Sequence, residues 1–113
     1  MIIWHNPKCS KSREALKLME EKREKFEIFK YLETPPSRDE ILALLAKLGI
    51  SARELMRTKE DLYKELELAK MTDEEKLIDA LVEHPKLIER PIVIDGNRAV
   101  IGRPVEKVIE LLG

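Results

Sequence analysis

Arg90-Pro91-Ile92-Val93-Ile94-Asp95-Gly96-Asn97-Arg98-Ala99-Val100-Ile101-Gly102-Arg103-Pro104 is the stretch whose reading decides the fold. Two short apolar, β-prone runs flank Asp95-Gly96-Asn97, and Asp-Gly between such runs is a strong hairpin signal. Gly102-Arg103-Pro104 then starts a final helix. Pro104 is expected at its first position, with Val105, Val108, Ile109 and Leu112 on its core face. Working outward, Ile2-Ile3-Trp4 reads as a buried strand. A helix follows from about Ser10 to Arg23, with Ala15, Leu16 and Met19 inward, and Phe26-Glu27-Ile28-Phe29 reads as a second strand. Two strands joined by a helix of this length make a right-handed, parallel βαβ unit.

Between Pro35-Pro36 and His84-Pro85 the pattern is helical. Three helix starts carry capping-box spacing: Ser37 with Glu40, Ser51 with Glu54, and Thr72 with Glu75. Ile41, Leu44, Leu45 and Leu48 give the first an inner stripe that Gly49 ends, and Leu77, Ile78 and Leu81 do the same for the last. The order is therefore β-α-β, an inserted helical region at about 37–85, then β-β-α. This is the plan of an α/β, thioredoxin-like fold with a mixed four-stranded sheet. Its 113 residues are expected to form a single domain.

That plan predicts where three distant segments meet. If the third strand pairs antiparallel with the first, its start lies beside the first strand's end. The fourth strand then ends at the same edge. Cys9 follows the first strand, Arg90-Pro91 precedes the third and Arg103-Pro104 follows the fourth, so all three converge on one rim.

Composition narrows the function. A net charge of −1, with 38% charged residues of both signs, lacks the basic excess of a nucleic-acid binder. The Glu20-Glu21-Lys22-Arg23-Glu24-Lys25 block reads as a solvated helix end and loop. No signal pattern and no membrane-length apolar run is present, so a cytoplasmic protein without membrane contact is expected. The single cysteine rules out an internal disulfide and fits a reducing compartment. With two distant histidines it also makes a poor ligand set, so no metal or tightly bound cofactor is expected.

The lone cysteine stands in His5-Asn6-Pro7-Lys8-Cys9-Ser10-Lys11-Ser12-Arg13, at a strand-to-helix junction among basic neighbours. Helix N–H groups and positive charge there favour thiolate, so Cys9 reads as a nucleophile rather than a buried apolar filler. Arg90 and Arg103, each restricted by a following proline, supply planar donor forks suited to a tetrahedral oxyanion. Such a site combines nucleophilic attack with stabilisation of developing charge. Ser12 occupies the place where thioredoxin-type enzymes keep a second cysteine. Its hydroxyl is expected to satisfy N–H groups at the helix start, and Ser12 is also counted among the substrate-binding residues. Two-electron reduction through sulfur needs two thiols, so a second must come from outside the chain.

These residues carry a resemblance. His5-Asn6-Pro7-x-Cys9-x-x-Ser12-Arg13, Tyr31-Leu32-Glu33-Thr34-Pro35 and Arg53-Glu54-Leu55-Met56-Arg57 resemble the glutathione- and glutaredoxin-dependent arsenate reductase family. So do His84-Pro85-x-Leu87-Ile88-x-Arg90-Pro91-Ile92-Val93 and Gly102-Arg103-Pro104. The match runs along nearly the whole chain. With Gly113 just after the last expected helix, it most resembles the shorter members. The resemblance implies Cys9 as nucleophile toward arsenate, giving an adduct that glutathione attacks while glutaredoxin regenerates the thiol. It implies that Arg57, Arg90 and Arg103 hold the oxyanion or the arsenical intermediate, and that His5 helps keep the thiol ionised. Pro91 matches the cis-proline of the fold. Arg57 enters through the resemblance alone, on a helix by the sequence pattern.

Two other functions fit parts of the pattern. A monothiol, glutaredoxin-like oxidoreductase would share the thiol, but has no need of several guanidiniums around it. Redox-responsive regulators that bind RNA polymerase belong to the same broader family, but they switch through Cys-x-x-Cys, and Ser12 removes half of that pair.

Overall fold

The computed structural model describes residues 1–22 and 25–112. Arg23, expected to end the first helix, lies outside them, as do Glu24 and Gly113. The chain divides into two compact units, Met1–Thr34 with Arg90–Gly113, and Pro35–Glu89. Among the described residues, no helix is long and apolar enough to cross a membrane.

The first unit is built on a four-stranded mixed sheet in the order β2-β1-β3-β4, the thioredoxin-like arrangement. Its strands are β1 (Ile2–Trp4), β2 (Glu27–Phe29), β3 (Ile92–Asp95) and β4 (Arg98–Ile101). β1 runs parallel to β2 and antiparallel to β3, and β3 antiparallel to β4. The register aligns Phe29, Trp4, Ile92 and Ile101 in one row across the sheet. Beyond that row the chain is still tied: His5 N–H donates to Phe29 O at 2.9 Å and Gly102 N–H to Pro91 O at 2.8 Å. Helix α1 (Ser10–Lys22) follows β1. Ile3 and Val93, registered at the sheet centre, pack with Ala15 and Met19 of α1. Val108 and Leu111 of the C-terminal helix complete this core. Burying each of the larger side chains, Ile3, Met19, Val93, Val108 and Leu111, contributes roughly 1.5–3 kcal/mol, which fixes the helices on the sheet.

Two details of this unit differ from the sequence reading. Asp95 pairs with Arg98, so the hairpin turn is Gly96-Asn97, one residue beyond the Asp-Gly step. Gly96 takes φ +60°, which a two-residue hairpin turn demands of its first central residue. The final helix is Glu106–Leu112, not one beginning at Pro104. The preceding turn closes by shorter i+3 bonds, Lys107 N–H to Pro104 O and Val108 N–H to Val105 O. Leu111 consequently faces the core, while Ile109, expected there, is 47% exposed.

The second unit contains α2 (Arg38–Leu48), α3 (Ala52–Leu55), α4 (Asp61–Glu65) and α5 (Glu74–Glu83), making the C-terminal helix α6. Short 3-10 turns at Leu68–Lys70 and Pro85–Leu87 complete it. Ser37 and Ser51 each form a full capping box, with Glu40 and Glu54 respectively. The third box does not form. Asp73 caps α5 instead, accepting from Glu75 N–H, because a carboxylate one residue later than Thr72 reaches the free N–H groups. Ile41, Leu44 and Leu45 of α2 and Leu77, Ile78 and Leu81 of α5 are buried. Arg38 bonds Glu75 and Asp79, and Arg53 bonds Tyr63 Oη together with the carbonyls of Leu68, Ala69 and Met71.

Candidate active site

Cys9 stands where α1 begins. Its N–H donates to Asn6 O at 3.0 Å, and its own carbonyl accepts the first helical bond, from Arg13 N–H at 3.0 Å. That makes Cys9 the N-cap residue, and its sulfur does what an N-cap oxygen does. The N–H groups of Lys11 and Ser12 bond it and favour the thiolate. Cys9 is buried, with 8% of the residue exposed. Burial pushes its pKa up. The Ser12 and Lys11 amides and the charge and hydrogen bond of Arg90 together outweigh burial, leaving the thiol below its ordinary value of 9.0.

The arginines converge on the sulfur. Arg103 Nη2 lies 3.5 Å from Cys9 Sγ, while its Nε donates to Arg90 O at 2.6 Å. One guanidinium therefore links the segments after β4 and before β3 to the start of α1. Both X-Pro bonds at this rim, Arg90–Pro91 and Arg103–Pro104, are cis. Gly102 permits the close approach. A Cβ there would lie 2.8 Å from Pro91 Cγ and 2.9 Å from Val108 Cγ2, inside contact distance of both.

His5 and Ser12 are both buried and bond each other, Nδ1 to Oγ at 2.7 Å. Ser12 Oγ also accepts from Asn6 N–H at 2.9 Å. The hydroxyl therefore ties the β1–α1 loop to the helix, rather than capping N–H groups of the helix itself as expected. Burial lowers the His5 pKa, Lys30 and Arg13 lower it further, and Glu20 and the Ser12 bond oppose them without prevailing. His5 is thus neutral near pH 7, and its Nδ1 bonds the hydroxyl of Ser12, whose amide in turn serves the sulfur.

Arg57 lies in the helical unit but not in a helix. α3 ends at Leu55, Met56 bridges Ile88, and Arg57 N–H donates to Leu87 O at 2.7 Å. Its guanidinium sits 2.7 Å from Glu60 Oε2 and 4.0 Å from Glu89 Oε1.

Residues 4–111 match the ArsC family. The chain belongs to the ArsC family. It is 49% identical to an arsenate reductase of Neisseria meningitidis, over 97% of this chain and 96% of that one. It is 56% identical to the uncharacterized protein YfgD of Escherichia coli K12, over 98% and 95% of the two chains. The solved arsenate reductase from Vibrio cholerae superposes with a TM-score of 0.92 at 50% identity, covering 96% of this chain and 94% of that one. This ArsC-family chain is thus a homologue of proteins named arsenate reductases.

Asn6 is the site residue that the sequence reading passed over. Its carbonyl receives Cys9, its amide serves Ser12, and its side chain accepts from Lys8 N–H at 3.0 Å. The available signal was Asn-Pro in a loop, where an Asn side chain bonding the backbone two residues on is common.

Proposed function

We propose that the protein reduces arsenate to arsenite, with Cys9 as the nucleophile and glutathione as the thiol co-substrate. The observation that carries this reading is the Arg103 guanidinium 3.5 Å from a sulfur that helix amides and Arg90 hold toward thiolate. The thiolate attacks arsenic, a sulfur–arsenic bond forms, and one oxygen leaves as water. Arg90 and Arg103 neutralise the remaining oxygens, for which planar charged donors are suited. Taking arsenic from the +5 to the +3 state requires two electrons, which two thiols supply on becoming a disulfide. With one cysteine in the chain, the second thiol is external. Glutathione attacks the adduct, arsenite leaves, and glutaredoxin reduces the resulting disulfide and regenerates the Cys9 thiol. Pro91 shapes the loop that carries Arg90. The role of Arg57 as a further oxyanion ligand, and a cytoplasmic setting, rest on the family resemblance.

Arsenate-dependent NADPH consumption, coupled through glutathione reductase and glutaredoxin, tests the proposal. Wild type turns over, and Cys9→Ser loses about a thousandfold or more while keeping its fold by circular dichroism. Turnover that survives in Cys9→Ser, or a wild type inert to arsenate but active on glutathione mixed disulfides, rejects it.

A further inference from the structure

A cavity of about 240 Å³ opens beside the thiol loop, with the His5–Lys8 loop on one side and Lys30, Leu32 and Glu33 on the other. Sheet order fixes its place. Lys30–Glu33 follows β2, on one side of β1, whereas Arg90 and Arg103 flank β3 and β4 on the other. The loop bearing Cys9 is thus bordered by guanidiniums on one side and by this cavity on the other.

The chemistry of the two sides differs. The Arg103 guanidinium is bound to the Arg90 carbonyl and the thiol sulfur. Lys8, Lys30 and Glu33 instead make no ion pair with any other described residue, although they line one recess. Lys30 is close enough to the inner wall for its charge to act on His5. Pro7 and the 41%-exposed Leu32 add apolar surface between the charges. Two ammonium groups and one carboxylate around a small apolar recess complement a ligand carrying two carboxylates and one ammonium. A γ-glutamyl tripeptide thiol has that charge pattern. The volume is below the usual range for sites enclosing a whole drug-sized ligand, roughly 300–1,000 Å³. It suits one charged end of the tripeptide, with the thiol-bearing residue left at the mouth.

We infer that this cavity is the co-substrate subsite, in which Lys8 and Lys30 bind the carboxylates of glutathione and Glu33 its α-ammonium. The assignment rests on the arsenate-reductase reading for the identity of the thiol. The second thiol then approaches the sulfur-bound arsenic from the side that the oxyanion-binding arginines leave open.

Two measurements separate failure of the subsite from failure of the reaction. Amide NMR titration with S-methylglutathione, which cannot react, requires no turnover. Shifts confined to residues 5–8 and 30–33 support the subsite, and their absence at millimolar ligand overturns it. In the coupled assay, the Lys8→Gln/Lys30→Gln double variant should raise the KM for glutathione about fivefold, as expected for losing two exposed charge contacts. The KM for arsenate should not change. Wild type should also prefer glutathione to its diethyl ester, and the double variant should lose that preference. An unchanged KM for glutathione, or parallel rises in both KM values, overturns the subsite. Binding of S-methylglutathione at these residues by a protein that cannot reduce arsenate would retain the subsite and reject the reaction.

Discussion

The sheet unit and the helical unit use arginine for opposite purposes. In the helical unit, Arg38 joins α2 to α5 through Glu75 and Asp79, and Arg53 gathers carbonyls from the Leu68–Met71 turn. Each of those charges is matched by acceptors within its own unit. In the sheet unit, Arg103 fixes itself through Nε on the Arg90 carbonyl and presents Nη2 to the Cys9 sulfur, which is itself bonded by amides and Arg90. An arginine with several native acceptors is part of the architecture. One that bonds the carbonyl of a second arginine and places Nη2 beside a nucleophile is positioned to meet an anion bound there.

The contrast can be broken most sharply by truncation on the sheet side. Arg103→Ala should lower kcat/KM for arsenate about a hundredfold, the scale of losing one oxyanion donor, and slow Cys9 alkylation by less than tenfold. Equal losses in both assays would mean that Arg103 only tunes the thiol. On the helical side, Arg53→Met should leave the KM for arsenate unchanged and cost roughly 2 kcal/mol in urea unfolding, because the stranded carbonyls lose a charged donor. A large kinetic effect with unchanged stability would erase the distinction between the units.

Two pH measurements sharpen the comparison further. Alkylation of Cys9 should rise with pH to a midpoint below the ordinary thiol value of 9.0, and a midpoint at or above it contradicts the amide and Arg90 assistance. His5 offers a smaller effect. Its folded pKa lies below the ordinary 6.5, so between the two values the unfolded chain binds more protons than the folded one. Its share of stability is complete above pH 6.5 and falls as the pH drops toward the folded value. His5→Gln should flatten that portion of the stability profile, and an unaltered slope would show that the imidazole is not held neutral.

The legible parts of the molecule were those set by neighbours in sequence. Ser37 and Ser51 announced their helices because the whole capping box lies within four residues. The hairpin and the order of segments placed Cys9 and Arg103 at one rim because strand direction alone decides it. Distant partners wrote the rest. Arg57 looked helical, but Met56 pairs with Ile88 some thirty residues on and pulls the chain out of α3. Ser12 looked like a cap, and its hydroxyl instead found His5 across the loop. Ile109 and Leu111 exchanged places because the i+3 turn before α6 delays the helix and rotates its face.

Gly102 has a consequence for how such a site can drift. It sits one residue before Arg103, pressed against the ring of Pro91, which follows Arg90. A single methyl group there would act as a spacer inserted between the carriers of the two cations. The sulfur would keep its amide donors while the grip on the anion widened. One codon could thus uncouple a reactive cysteine from its choice of substrate without touching either.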